Sequence, residues 1–288
     1  MNRALANTVG LELRRTGDAP AAKPSGPKKR KVGKLQAGDR LLAQPTFVLC
    51  TLRSGSTLMR MLLNSHSQLH APHEIHLRYV SVKLDAKWSE RSLGEMGLDQ
   101  RGLEYLLWDR ILHRELSSSG KPWIVDKTPN NVFIVDRIKE CWPDARFIFL
   151  LRHPEMIARS RKALNPDLDD AKNVDLIRRY CEALESARQS FDGVTVRYEE
   201  LTTDPAATTR KVCEFLGVPW EPQMLEYGKF DHGRLKAGLG DWKDKIRTGE
   251  VQPPEPLPAP EEVAEPLRES AIAWGYMERP TATESLPG

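Results

Sequence analysis

The chain has 288 residues, 40% of them hydrophobic and 29% charged, with a formal net charge of +3. This composition excludes a disordered, collagenous or disulfide-scaffolded protein and leaves enough apolar residues for one sizeable core. Six basic residues with no acid among them (Lys23, Lys28, Lys29, Arg30, Lys31, Lys34) set the sign of the charge; without those six, +3 becomes −3, so no basic face for nucleic acid is expected on the folded body.

In chain order, residues 1–44 read as a flexible basic arm, because Pro, Gly, Ala and Lys dominate and no apolar periodicity is sustained. Within it PKKRKV, Pro27 to Val32, has the form of a monopartite nuclear localisation signal and is read as a solvated arm. The N-terminal stretch has no continuous apolar core and no clear cleavage site, and no apolar run approaches the roughly 20 residues of a membrane span. From Pro45, TFVLC reads as a strand, RSGST as a turn and LMRMLLNSH as a helix. A helix around Arg101 to Leu116 precedes a strand in KPWIVDKTP, and a helix over Val132 to Cys141 precedes ARFIFLL, apolar on both faces like a buried parallel strand. A helix opening at Pro154, a longer one from Val174 to Ser190 and the strand VTVRY follow. Asp204 and Gly217 then cap a helix between them. After the proline-rich QPPEPLPAPEE, a terminal helix that docks Trp274 and Tyr276 is expected. Strands alternating with helices predict an α/β fold in three layers with a mainly parallel central sheet. Cys50, Cys141, Cys181 and Cys213 form no CxxC pair, which suits a reducing cytoplasm and not a structural zinc site.

Arg53-Ser54-Gly55-Ser56-Thr57 stands between a strand and a helix, where backbone N–H groups and the helix's positive end make an anion site. Aligned on Gly55, the phosphate-loop pattern GxxxxGK[ST] puts Cys50 at its first glycine and Ser56 at its lysine. The loop therefore suits a phosphate that is gripped and not transferred. Arg152-His153-Pro154 follows the buried strand, at the carboxyl end where open parallel sheets bind ligands, with Ser160 further along the helix. Four histidines and Glu74 crowd HSQLHAPHEIH, His66 to His76, without the separate carboxylate or cysteine set that would complete a metal site, so no metal is expected.

LRSGSTL, DKTP, RHPEMIARS and YEEL, in this order, resemble the sulfotransferases that use 3′-phosphoadenosine 5′-phosphosulfate, over roughly Phe47 to Lys243. The resemblance implies a P-loop-nucleotide-hydrolase-like fold and one catalytic domain over 45–279, with a disordered tail at 280–288. It implies that Arg53, Ser54, Gly55, Ser56 and Thr57 bind the 5′-phosphosulfate, that Arg152 and Ser160 bind the 3′-phosphate and that Tyr198 contacts the nucleotide. KAGLGDWK looks like a further 3′-phosphate element, in which Lys236 matches and Arg234, one place displaced, substitutes for an arginine. Glu74 stands where related members place a base, with His76 as the second candidate, and Lys127 would stabilise the leaving phosphate. The expected acceptor is a hydroxyl or amine of a small molecule, lipid, carbohydrate or protein. The competing readings are a kinase-like phosphotransferase and a non-catalytic nucleotide-binding protein.

Overall fold

Residues 35–232, 246 and 248–279 are described by a computed structural model. Strand and helix alternate from β1 (Thr46–Cys50) through α1 (Ser56–Asn64), β2 (Leu69–His70), α2 (Lys87–Glu95) and α3 (Gln100–Ser119) to β3 (Trp123–Lys127). They continue through α4 (Val135–Cys141), β4 (Arg146–Leu151), α5 (Pro154–Leu164), α6 (Asp170–Ser190), β5 (Gly193–Arg197), α7 (Tyr198–Thr203), α8 (Pro205–Leu216) and α9 (Glu265–Ala273). The strands form one sheet in the order β2-β3-β1-β4-β5, and every pairing is parallel.

Alternate residues of the central strands enter opposite cores. Phe47, Leu49, Phe147, Phe149 and Leu151 pack with Tyr105, Trp108, Ile177 and Leu184 on one face. Val48, Cys50, Ile148, Leu150 and Val196 pack with Met59, Leu62, Leu63, Val212 and Leu216 on the other. Covering both faces of a parallel sheet is what requires β1 and β4 to be apolar beyond their first residues, Thr46 and Arg146. The result is the three-layer α/β architecture expected from the alternation.

The order of the strands has a direct consequence for function. The chain grows from β1 to one side through β2 and β3, then crosses to the other side for β4 and β5, so β1 is the switch point of the sheet. Ligands of open parallel sheets bind outside the carboxyl ends of the strands at such a point. The register pairs Cys50 with Leu150 and Leu151 with Arg197, so the loop after β1, Arg152 after β4 and Tyr198 after β5 leave the sheet at one level.

Several boundaries differ from the sequence reading. The structured chain begins before residue 45: Leu35 and Leu42 are buried in the core, so residues 35–44, assigned to the flexible arm, pack on the body. The rest of that arm and the tail 280–288 lie outside the described residues. Residues 129–133 form a 3-10 turn instead of the start of α4, α6 begins at Asp170 with Asp169 as its cap, and Tyr198 opens a helix instead of closing a strand. The expected caps at Asp204 and Gly217 are both present. α2 carries no buried residue, which is why no apolar stripe announced it.

Candidate active site

The loop between β1 and α1 turns through two left-handed residues, Arg53 (φ 63°) and Gly55 (φ 80°). Gly55 is required twice, because a Cβ there would lie 2.2 Å from Cδ2 of Tyr198. Ser54 is buried and its hydroxyl donates to the Thr51 carbonyl at 2.9 Å, closing the turn. α1 then starts with no side-chain cap and no acidic residue in its first turn, so its positive end meets the loop's cavity without a built-in counter-charge.

Three further motif residues converge on this loop. Arg152 donates from Nη1 to the Arg53 carbonyl at 2.8 Å, and its guanidinium lies 4.5 Å from the centre of the Tyr198 ring. Arg53 in turn donates from Nε to Ser160 Oγ at 3.3 Å. Pro154 opens α5 as expected, and Ser160 nevertheless reaches the site because Arg53 spans the gap. Arg53, Gly55, Ser56, Thr57, Arg152, Ser160 and Tyr198 all line one cavity of about 1120 Å³. Arg159 and Tyr227 line it too, which no motif indicated. Arg234 and Lys236 lie outside the described residues.

Glu74 is on the wall of the same cavity, held by a close ion pair with the ammonium of Lys127. Lys127 ends β3 and is only 1% exposed. The other carboxylate oxygen of Glu74, Oε2, lies 3.4 Å from His76 Nε2. His76 is not on the cavity wall and adopts a left-handed backbone, φ 56°. Behind Glu74 stands buried Arg60, which donates from Nη1 to the Ala71 carbonyl at 3.1 Å; burial lowers its pKa and the Glu74 charge raises it. Cys50 lies beneath the loop, and burial pushes its thiol up to about 11 against the pull of Lys127, which makes it an inert core residue.

The histidine-rich segment does not converge. His66 contacts the Pro219 carbonyl through Nε2 at 2.7 Å and accepts from Gln68 N–H through Nδ1 at 2.9 Å. Burial, then the Lys121 charge for His70 and the Arg60 charge for His73, lowers the pKa of both rings. Among the described residues, no group of three or more His, Cys, Asp or Glu side chains is arranged to hold a metal ion. None of the described helices is long and apolar enough to cross a membrane.

Comparison with known proteins agrees with this geometry. An uncharacterised protein of Aquifex aeolicus is 30% identical over 210 residues, 65% of this chain and 27% of that protein. A protein-tyrosine sulfotransferase of Drosophila melanogaster is 23% identical over 193 residues, covering 62% of this chain and 39% of the relative. The chain thus spans well under two thirds of the length of these relatives. The sulfotransferase domain from the curacin biosynthetic pathway shares the fold, with a TM-score of 0.58 at 20% identity over 82% of this chain and 99% of that domain. The model of the sulfotransferase family matches residues 45–222, which include β1 to β5 and every described residue of the cavity's charged loop, and with more than half of its length so matched the chain belongs to the sulfotransferase family.

Proposed function

We propose that this protein transfers a sulfuryl group from 3′-phosphoadenosine 5′-phosphosulfate to a hydroxyl or amine acceptor. The observation that carries the reading is the convergence of Arg53, Arg152 and Ser160 on an uncapped helix start, in a cavity whose wall also carries Glu74, backed by its ion pair with buried Lys127. The residues present suit such a donor: an anion cradle in which glycine leaves no Cβ, an aromatic ring for the nucleotide, and cations at both ends. The donor supplies the sulfuryl group and leaves as adenosine 3′,5′-bisphosphate.

In this reading the loop backbone and the hydroxyls of Ser56 and Thr57 hold the 5′-phosphosulfate, while buried Ser54, its hydroxyl committed to the Thr51 carbonyl, shapes the turn; Arg152 and Ser160 hold the 3′-phosphate, and Tyr198 packs on the nucleotide. Glu74 takes the acceptor's proton through Oε2, the oxygen not committed to Lys127. Lys127 and Arg53 stabilise charge on the leaving phosphate, where a fixed cation favours the transition state over the ground state. His76 has the lesser role, since Glu74 and not His76 faces the cavity. A serine at the lysine position of the phosphate loop argues against phosphoryl transfer from ATP. The acceptor belongs to a small molecule, lipid, carbohydrate or protein; the Drosophila relative is named for protein tyrosine. The four cysteines are buried and unpaired, which suits the reducing cytoplasm.

Sulfur-labelled donor incubated with a panel of hydroxyl and amine acceptors tests the activity by mass shift. Arg53→Ala and Arg152→Ala should each weaken bisphosphate binding by about 1.5 to 3 kcal/mol, and ATP should bind more weakly than the bisphosphate. Glu74→Gln should cut turnover by about 10² to 10⁴ with bisphosphate affinity little changed, and His76→Ala should cost less. Equal affinity for ATP, or a fully active Glu74→Gln, would overturn the corresponding assignment.

A further inference from the structure

The residues on either side of Lys127 form a hydrogen-bonded relay that the proton transfer just described does not use. Asp126 is 1% exposed and Thr128 fully buried. The Thr128 hydroxyl donates to Asp126 Oδ1 at 3.0 Å, and Asn131 donates its amide to Oδ2 at 2.7 Å. With its one proton directed at the carboxylate, Thr128 Oγ1 can only accept from the other side. What faces it there is the backbone N–H of Ile75, at 3.1 Å, with that of His76 beside it at 3.5 Å.

Ile75 follows Glu74 in the chain, and the next residue is His76 in its left-handed conformation. A non-glycine residue in that region costs of order 1–3 kcal/mol and persists only where its surroundings over-determine it. The relay is such a surrounding. One strand end therefore fixes both halves of the ion pair: Lys127 directly, and Glu74 through the turn anchored on Thr128.

We infer that Asp126 and Thr128 are positioning residues, whose relay to the Ile75 amide aims the Glu74 carboxylate into the cavity beside Lys127. This rests on Glu74 being the base. Misplacing a reacting group by about 1 Å can cost on the order of 10²-fold in rate. Thr128→Val, which keeps the shape and removes the hydroxyl, should lower kcat about 10- to 100-fold, with bisphosphate affinity within about twofold of the parent. Thr128→Ser should restore most of the rate.

The decisive measurement repeats Thr128→Val in a Glu74→Gln background. If Thr128 acts through Glu74, the second substitution should cost less than about threefold, because effects within one unit do not add. A loss as large as in the parent background would overturn the inference, as would a Thr128→Val variant with parental kcat beside an inactive Glu74→Gln. A fully active Glu74→Gln would instead defeat the base assignment itself. Should Thr128→Val fail to fold, amide hydrogen exchange on the unmodified protein decides: the Ile75 amide should exchange about 10²-fold more slowly than an exposed loop amide, and unprotected exchange would overturn the relay.

Discussion

His153, the middle residue of the motif that carries Arg152, works in its neutral form. It is 1% exposed, its Nδ1 accepts the Glu155 N–H at 3.2 Å to cap α5, and its ring centre lies 5.0 Å from that of Tyr276. Protonation would destroy the cap's acceptor. Burial, followed by the charges of Arg159 and Arg152, pushes its pKa from the ordinary 6.5 down to about 4. Between those values the unfolded chain binds a proton that the native protein refuses. Stability from this group is therefore complete above pH 6.5, is lost as the pH falls towards about 4, and changes no further below that. Melting temperature measured from pH 7 to 4 should fall in the parent with this one-proton component. His153→Asn, which keeps a capping oxygen, should lack it. Identical pH slopes in the two proteins would mean that His153 is charged in the native state.

Among the elements, the segment before β1 shows how a few hydrogen bonds fasten a stretch without periodicity. The N–H groups of Leu41 and Leu42 donate to the Asp109 carboxylate at 2.7 and 3.1 Å, and Trp142 donates Nε1 to it at 2.8 Å. One buried carboxylate on α3 thus ties the entering chain and the end of α4 to the same point. Arg40 adds a bond to the Leu35 carbonyl at 2.9 Å. In Asp109→Asn one carboxylate oxygen becomes an NH₂ donor facing donors, so the variant should lose about 2 to 4 kcal/mol in denaturant unfolding. Bisphosphate affinity should be unaffected, because no residue of this junction lines the cavity. A loss below about 0.5 kcal/mol, the level of a neutral surface change, would show that the junction contributes little. Residues 35–44 read as a loose arm because two core-facing leucines seven apart, Leu35 and Leu42, make no pattern, and it is Asp109, distant in sequence, that orders them.

At the scale of the whole molecule, the C-terminal segment joins the two strand ends that carry the site. Trp274 is buried and donates Nε1 to Glu185 at 3.0 Å, while Arg197 donates to its carbonyl at 2.6 Å. The Tyr276 hydroxyl donates to Glu199 Oε2 at 2.5 Å, and Glu199 Oε1 accepts the His153 N–H at 3.2 Å. Arg152 after β4 and Tyr198 after β5 are thereby braced through their chain neighbours. Tyr276→Phe keeps the ring against His153 and removes the bridge. It should cost about 1.5 to 3 kcal/mol of stability, as for a hydrogen bond to a charged group, and weaken bisphosphate binding about 3- to 10-fold by calorimetry. Unchanged affinity would show that the brace serves stability alone.

The sequence by itself determined what is local. Short apolar runs marked β1, β3 and β4, the last of them apolar on both faces, Asp204 and Gly217 marked the ends of α8, and the contiguous RSGST carried its own anion-binding chemistry, because each depends on residues within a few positions of one another. The two-residue β2 and the exposed α2 lacked any such signal. The tertiary structure decided the strand order that makes β1 the switch point, since parallel pairing joins segments far apart in the chain. It alone brought Ser160 and Arg152 to Arg53, across 107 and 99 residues, and set Glu74 rather than His76 on the cavity wall beside Lys127, 53 residues away. Side-chain meetings at such separations follow from how the sheet stacks, which no spacing within the sequence encodes.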